Sequence, residues 1–498
     1  MSVLRRAFQE RPLLAILLLA AVLRITAAIF SRGFLTIDDH HVLIDTADGL
    51  ATGIPLPSDY KRSILYPGSV ALIMKAVRAL ANASPDIEML VVRLVHAGIA
   101  TLTVYCAFRI LERAAGREAA ITGGLLVATF FALPVTSAHQ FEEAVCQVPM
   151  LAACWWIVAA DGAERGAGLR SFLAGAATVT TLLLRFPALP FVLSFAAFAL
   201  WRPAQRFSKL HFALGLLAVV ALQAASSAVI NGDPAYYFLR TAGHRAGLGG
   251  GYPTGPIWKY LLTLVAVFLP PFSVLLLAAA IRGGRAFPLL GVPTLVFLIG
   301  HSIIPNKQER FLLPVLPALL ILGAIGMPVV REWFARRGWT RAYRWSWGYF
   351  AALNGLLLIA GLFSYGKKDR VAPLVYVQAR HDATGVVVAQ YTYTFHVPVY
   401  YLGRPRPRVF VFSDRTRLAQ DVQTVRAASP APNYLILYSD SADADAALLE
   451  RALGARLERD ATITPSLGDE LAHLVNPARN RASRAVVLSI MSVSGASH

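Results

Sequence analysis

The first 365 residues are dominated by apolar runs separated by short basic or polar joints. A transmembrane helix needs about 20 mostly apolar residues, because the hydrocarbon core of a bilayer is about 30 Å thick. Charged residues make up 15% of the chain, against roughly 25% in soluble domains. We therefore predict a polytopic α-helical membrane protein with about 11 spans. The predicted spans are residues 13–30, 89–111, 118–135, 145–160, 171–185, 188–201, 209–229, 257–281, 286–303, 311–330 and 345–364.

The basic residues indicate how these spans are oriented. Lys and Arg number 47 against 29 Asp and Glu, and the excess lies in tracts at alternate joints, such as 109–117 and 331–344. Such tracts favour the cytoplasmic side, which places the N-terminus inside and the C-terminal region outside. A nucleic-acid binder would instead collect this charge on one soluble face. We predict an uncleaved anchor at 13–30, because this run is long enough to span.

The first external segment, residues 31–87, contains one ambiguous run. Ser63–Leu80 is apolar enough to span but carries Lys75 and Arg78. Counting it as a span would move every later basic tract to the outside, so we predict a helix in the membrane plane. The transmembrane catalytic domain is predicted to occupy residues 1–365.

The composition changes after residue 365. Charged residues and Pro become more frequent, and short β-rich runs bounded by turn residues predict a small extracytoplasmic α/β domain over 366–480. Its predicted strands are 385–390, 397–402, 409–412, 434–438 and 458–463, with a helix over 443–457. We predict a disordered tail over 481–498. The three cysteines show no CxxC spacing, so no disulfide framework is expected.

The predicted topology gathers ionisable side chains on the outer face. Asp38 and Asp39 stand just after the first span, beside His40 and His41. Carboxylates at membrane depth are costly and therefore mark functional sites, although Asp38-Asp39 could also cap a helix. The other candidates are Asp45, Lys61, Arg62, Glu142, Glu143, Arg185, His244, Arg245, His301, Lys307, Glu309 and Arg310.

Carboxylates and cations on one external face suit the transfer of a sugar from a lipid phosphate. A carboxylate can take the proton from an acceptor hydroxyl, and guanidinium or ammonium groups can bind the departing lipid phosphate. The catalytic candidates are Asp38, Asp39, Glu142 and Glu143, and the other residues are candidates for binding substrate. The histidines show no HxxxH or HExxH spacing, so no metal site is predicted.

Five segments over residues 31–330 carry a family resemblance. They are Ile37-Asp38-Asp39 followed by Asp45 and Gly53, Arg62-Ser-Ile-Leu-Tyr-Pro67, Glu142 or Glu143, Arg185-Phe186-Pro187, and Asn306-Lys307-Gln308-Glu309-Arg310-Phe311. Their order resembles the GT-C superfamily of glycosyltransferases, in particular the mannosyltransferases of dolichol-linked oligosaccharide and GPI-anchor synthesis. The chain departs from that pattern at Asp39, Asn306 and Gln308, which leaves the sugar and the acceptor open.

The resemblance implies an inverting enzyme of the inner or plasma membrane with Asp38 as the base and an active site on the outer face. The co-substrate would be a polyprenyl-phosphate-linked hexose similar to mannose, without an obligatory metal or other cofactor. The acceptor would be a glycan, a lipid or a protein of the envelope, and membrane lipids would be partners, whereas nucleic acid would not.

Two other classes remain open from the residues. A transporter or lipid flippase would also hold charges at membrane depth, but such proteins often show repeated halves, which we do not find. A non-catalytic envelope assembly protein could use the α/β domain for binding.

Overall fold

A computed structural model describes residues 10–37, 39–246, 254–477 and 480–491. The contacts divide the chain into two compact units. Unit 1 comprises Met1–Ala28, Gly53–Ser69 and Arg93–Leu362, and unit 2 comprises Ile29–Thr52, Val70–Val92 and Phe363–His498. Two parts of the predicted external segment 31–87 thus group with the C-terminal residues rather than with the transmembrane helices.

Helices account for most of the first 365 residues. The π-helix is Asp39–Ile44, and the 3₁₀ helices are Phe186–Ala188 and Glu309–Val315. The α-helices are Pro12–Phe30, Asp45–Ala51, Leu65–Leu80, Pro85–Thr129, Ala132–Ala138, Glu142–Val145, Gln147–Asp161, Ala167–Leu184, Leu189–Trp201, Lys209–Asn231, Tyr236–Ala246, Lys259–Val267, Phe272–Ala286, Pro288–Ile303, Leu316–Arg336 and Thr340–Leu362.

These helices confirm the polytopic membrane class. Among the described residues, seven helices are long and apolar enough to cross a membrane, or eight if one bent pair counts as a single span. The 45-residue helix Pro85–Thr129 covers the predicted span 89–111 and most of the predicted span 118–135, and it breaks at Gly116, where φ is 82°. The span predicted at 257–281 is instead two helices that meet at 114°. The predicted in-plane segment forms the helix Leu65–Leu80, whose orientation to the membrane stays a prediction.

Glycines allow pairs of unit 1 helices to approach backbone to backbone. A Cβ added at Gly283 would lie 1.9 Å from the carbonyl oxygen of Leu322, and one added at Gly326 would lie 1.9 Å from that of Ala279. These positions join Phe272–Ala286 to Leu316–Arg336. Because lipid gives little hydrophobic drive between helices, small residues that permit close packing are typical of such interfaces.

Unit 2 contains a five-stranded sheet and a two-stranded one. The short pair is β1 (Arg32–Gly33) with β2 (Tyr365–Gly366). The larger sheet has the order β4-β3-β5-β7-β6, in which β3, β4 and β5 are parallel and β7 runs antiparallel to both neighbours. Its strands are β3 Gly385–Gln390, β4 Arg408–Phe412, β5 Tyr434–Tyr438, β6 Arg456–Ile463 and β7 Ala485–Met491, and the helices are Lys368–Arg380, Leu418–Arg426, Ala442–Leu453 and Leu467–Val475.

The small C-terminal α/β fold is therefore present, with two corrections. Residues 397–402, predicted as a strand, contain the 3₁₀ helix Val399–Leu402, and Pro398 before it has no N–H for a strand ladder. The predicted disordered tail 481–498 instead supplies β7, whose Val486 and Val487 are buried inside the sheet. An apolar run near a chain end was mistaken for a tail because its sheet partners lie far away in sequence. Residues 492–498 lie outside the described part.

Candidate active site

A buried ionic cluster forms in unit 1 where several helices end. Glu142 and Glu143 open the short helix Glu142–Val145, and Arg185 follows the helix Ala167–Leu184 in an extended conformation. The Arg185 Nη1 atom donates to Glu142 Oε2 at 2.8 Å, and its Nη2 lies 2.6 Å from Glu143 Oε1. One guanidinium therefore bridges both predicted acids.

Two further arginines complete this cluster from other segments. The Arg62 Nη1 atom donates to Glu142 Oε1 at 3.1 Å. The Arg310 Nε atom lies 3.5 Å from Glu143 Oε1 and donates to Gln308 Oε1 at 2.8 Å. Three guanidinium groups thus surround two carboxylates. The side chains of Arg62 and Arg310 are 30% and 16% exposed, whereas that of Arg185 is 5% exposed.

Glu143 has unused hydrogen-bonding capacity. Both of its carboxylate oxygens are buried and accept no hydrogen bond from any residue that the structure describes, although Arg185 and Arg310 pair with it electrostatically. Oε1 already faces Arg185 Nη2 at 2.6 Å, so Oε2 is the oxygen that could accept a hydrogen bond from a hydroxyl placed beside it.

A small cavity lies next to Glu142. Its volume is about 30 Å³, and its lining includes Arg62, Tyr66, Phe186 and Thr241. This space holds roughly one or two water molecules, which is too little for a sugar ring. This cavity alone therefore does not hold the substrate.

Lys307, predicted to bind phosphate, contacts the end of a helix. Its ammonium group donates to the carbonyl oxygens of His301 at 2.9 Å and Ser302 at 2.7 Å, and also to that of Ile304. These carbonyls belong to the last turn of Pro288–Ile303 and its C-cap, and an ammonium has three donors in all. Lys307 thus fixes the turn that leads to Arg310.

The other candidates of unit 1 have separate surroundings. The His301 ring stacks on Phe297 at 4.0 Å between centroids. Glu309 pairs with Lys259 at 2.9 Å, and Lys61 is exposed. His244 and Arg245 lie in the helix Tyr236–Ala246, but their side chains are outside the described part.

Unit 2 contains the candidates of the first external segment. Asp38 lies outside the described residues, and Asp39 begins the π-helix Asp39–Ile44, while its side chain is not described. Asp45 pairs with His41, whose Nδ1 lies 3.1 Å from Asp45 Oδ2. His41, Asp45 and His396 each offer one possible metal-ligand atom, and these atoms lie within 4.8 Å of one another. His396 was missed because no local pattern surrounds it.

Sequence reasoning also missed an ionic network around Asp48. This carboxylate accepts hydrogen bonds from Arg78 at 2.7 Å, Arg404 at 2.6 Å and Arg406 at 2.8 Å. Arg78 also binds both oxygens of Glu88, each at 2.7 Å. Burial alone would raise the pKa of Asp48, but hydrogen bonds from Arg404 and Arg78 outweigh it and lower the pKa. Arg404 and Arg406 stand 356 and 358 positions after Asp48, so no spacing in the sequence reveals this network.

Comparison with known families identifies the class of protein. The sequence profile of the Alg9-like mannosyltransferase family matches residues 15–392, well over half of the chain. The chain therefore belongs to this family of GT-C membrane glycosyltransferases, which makes it an integral membrane enzyme and confirms the predicted superfamily. No curated protein matches the chain in sequence.

Solved structures show the same fold at low sequence identity. The structure is similar to ArnT from Cupriavidus metallidurans bound to undecaprenyl phosphate, with a TM-score of 0.59, 14% identity, and coverage of 98% of this chain and 100% of that chain. The Archaeoglobus fulgidus oligosaccharyltransferase has a TM-score of 0.52, 11% identity, and coverage of 87% and 70%. Arabinofuranosyltransferase AftD from Mycobacteria has a TM-score of 0.53, 13% identity, and coverage of 98% and 40%.

Proposed function

We propose that this enzyme transfers a mannose-like hexose from a polyprenyl-phosphate donor to an envelope glycan, lipid or protein on the outer face of the membrane. The observation that carries the proposal is the buried cluster in which Arg185 bridges Glu142 and Glu143 while Arg62 and Arg310 flank them. It combines acids that can hold an acceptor hydroxyl with guanidinium groups, which form paired hydrogen bonds to phosphate.

The transfer proceeds by displacement at the anomeric carbon with inversion. A carboxylate base removes the proton from the acceptor hydroxyl, and its oxygen forms the new bond to the sugar. The bond from the sugar to the phosphate oxygen breaks, and polyprenyl phosphate leaves with the electron pair. Asp38 is our proposed base on the family pattern, with Asp39 orienting the acceptor. Glu143 is the described acid with acceptor capacity for a sugar or acceptor hydroxyl.

We assign the arginines of the cluster two different roles according to how exposed their side chains are. Arg185 is almost fully buried and holds both glutamates, so it is a positioning residue. Arg62 and Arg310 are partly exposed at the margins of the cluster, where a guanidinium can form paired hydrogen bonds to phosphate. In this proposal they stabilise the charge that develops on the leaving phosphate. Lys307 contributes by holding the turn before Arg310.

Two further observations support the donor class and the orientation. ArnT, which shares the fold, was solved with undecaprenyl phosphate bound. The basic tracts at alternate joints favour a cytoplasmic N-terminus, which places the joint at Glu142 outside. There an activated sugar has to arrive on a lipid, since nucleotide sugars are cytoplasmic.

The test is sugar transfer by the full chain in lipid nanodiscs. Polyprenyl-phosphate-mannose with a radiolabelled sugar is the donor, and envelope lipids and glycans from a strain lacking the enzyme are the acceptors. We expect Asp38→Asn to abolish transfer while retaining donor binding, and Arg310→Ala to raise the KM for the donor. Arg331→Ala is the matched control, because Arg331 is exposed and pairs only with the exposed Glu118 among the described acids.

Three outcomes would contradict the proposal. Transfer that is unchanged in both Asp38→Asn and Arg310→Ala would refute the site. Movement of the lipid across the bilayer of sealed proteoliposomes, without any transferred sugar, would favour a flippase. Transfer from polyprenyl-phosphate-glucose but not from the mannose donor would keep the enzyme class and correct the sugar. Mass spectrometry of envelope glycans from the deletion strain would then show which hexose and acceptor are missing.

A further inference from the structure

We propose that unit 2 contains a binding site for one divalent transition-metal ion of the zinc type, formed by His41, Asp45 and His396. One ligand atom from each residue lies within 4.8 Å of the others. This site does not rest on the proposed transfer reaction, and its test needs no sugar substrate.

The distances are close to those of a bound ion. Zinc lies about 2.0–2.1 Å from nitrogen and oxygen ligands, so two ligand atoms of a tetrahedral site are about 3.3 Å apart. The His41 Nδ1 and Asp45 Oδ2 atoms are 3.1 Å apart. The rings of His41 and His396 have centroids 3.8 Å apart. A small rotation of the exposed His396 side chain would bring its nitrogen to ligand distance.

An unpartnered buried atom gives a second, independent indication. Asp45 Oδ1 is buried and has no hydrogen-bond partner within the described ranges, whereas Oδ2 of the same carboxylate faces His41 Nδ1. Buried polar atoms are normally satisfied, and a bound ion is one explanation of an exception. A cation at this carboxylate would satisfy Oδ1 as well.

The set of ligands selects the type of ion. Imidazole suits zinc, copper, iron and nickel, whereas magnesium and calcium prefer oxygen ligands only. Two imidazoles and one carboxylate leave a fourth position for water, as in zinc sites with three protein ligands. The inference therefore specifies a zinc-type ion and excludes an alkaline-earth ion.

Neighbouring aromatic contacts already hold the two segments together. His40, next to His41 in the π-helix, stacks on Tyr401 with centroids 5.3 Å apart and on Phe34 at 5.0 Å. Short π-helical turns occur frequently at functional sites. The ion would link the π-helix Asp39–Ile44 to the segment that precedes Val399–Leu402. It would have a structural role, stabilising the segment that contains Asp39, and would take no part in the transfer reaction, which we expect to need no metal.

Zinc binding to the full chain tests the site directly. The protein is purified without a polyhistidine tag, treated with a chelator, and titrated with zinc chloride by calorimetry, while bound zinc is counted by mass spectrometry. We expect one tight equivalent per chain and weakening of about tenfold or more in His396→Ala. His396 is exposed, so this substitution leaves the fold intact. Zinc should also raise the Tm of the wild type but not that of His396→Ala.

His473→Ala is the matched control. His473 is an exposed histidine of the same unit that lies outside the cluster, and its replacement should leave zinc binding unchanged. The proposal is overturned if the wild type binds no stoichiometric zinc, or if His396→Ala binds zinc as tightly as the wild type. It is also overturned if millimolar magnesium displaces the zinc.

Discussion

Replacing Arg185 by methionine should destabilise the enzyme because this side chain neutralises two buried acids. Removing one partner of a buried ion pair costs roughly 3–5 kcal/mol. Glu142 would keep Arg62 at 3.1 Å, but Glu143 would keep only Arg310, whose Nε is 3.5 Å away. Glu143 is therefore the carboxylate that loses most of its electrostatic stabilisation, and the free energy of unfolding of Arg185→Met should drop by about 3–5 kcal/mol.

A double-mutant cycle tests this reasoning. Adding Glu143→Gln to Arg185→Met removes the stranded charge, so the double variant should lose about 1–3 kcal/mol less than the sum of the single losses. Unfolding in detergent can be followed through the eight tryptophans. Arg331→Met is the control, because its exposed pair with Glu118 is worth about 0–1 kcal/mol. Strictly additive losses would refute the assignment of Arg185 to Glu143.

Three further substitutions can be followed by the same unfolding assay, one of them together with the transfer assay. Gly326→Ala should cost about 1–3 kcal/mol, because its Cβ would lie 1.9 Å from the carbonyl oxygen of Ala279, whereas Gly348→Ala meets nothing within 4 Å and should be tolerated. Lys307→Met should lower the Tm and, because the turn before Arg310 loosens, should raise the KM for the donor less than Arg310→Ala does. A raised KM at unchanged Tm would instead assign this lysine to phosphate binding. Asp48→Asn should lower the free energy of unfolding at pH 7, and the difference from the wild type should shrink below about pH 4. The pKa of Asp48 is lower in the folded than in the unfolded protein; the charged carboxylate therefore stabilises the fold above its unfolded pKa, and this contribution is lost as the pH falls through the folded pKa. A difference in stability that does not change with pH would contradict this reasoning.

The membrane fold could be predicted because its signal is local. Runs such as 13–30 and 209–229 correspond to the helices Pro12–Phe30 and Lys209–Asn231, since each helix satisfies its own backbone and must be apolar along its length. The sheet was predicted less completely. β7 was missed because a strand is stable only with its neighbours, and Ala485–Met491 pairs with Tyr434–Tyr438 and Arg456–Ile463.

For the candidate site, too, the local signals were the readable ones. Glu142, Arg185 and Arg310 stand next to the ends of predicted spans, and the structure brings them into one ionic cluster; their roles in binding or catalysis stay predictions. The three contacts of Lys307 with carbonyls were not predictable, since a lysine in a loop has the same local sequence whether it binds phosphate or caps a helix. His396 and Asp48 depend on partners brought near by the tertiary fold, which no spacing encodes.

The three arginines of the buried cluster differ in exposure, and we therefore expect them to differ in their effects on stability and on donor binding. Arg185 is enclosed by two acids, so its charge is already neutralised, and it has little to offer an incoming phosphate. Arg62 contacts Glu142 and Arg310 contacts Glu143, and both arginines stay partly exposed. A phosphate that approaches the cluster would meet these two guanidinium groups first. Substitution of Arg185 should therefore act mainly on folding, and substitution of Arg62 or Arg310 mainly on the affinity for the donor, although all three arginines face the same pair of glutamates.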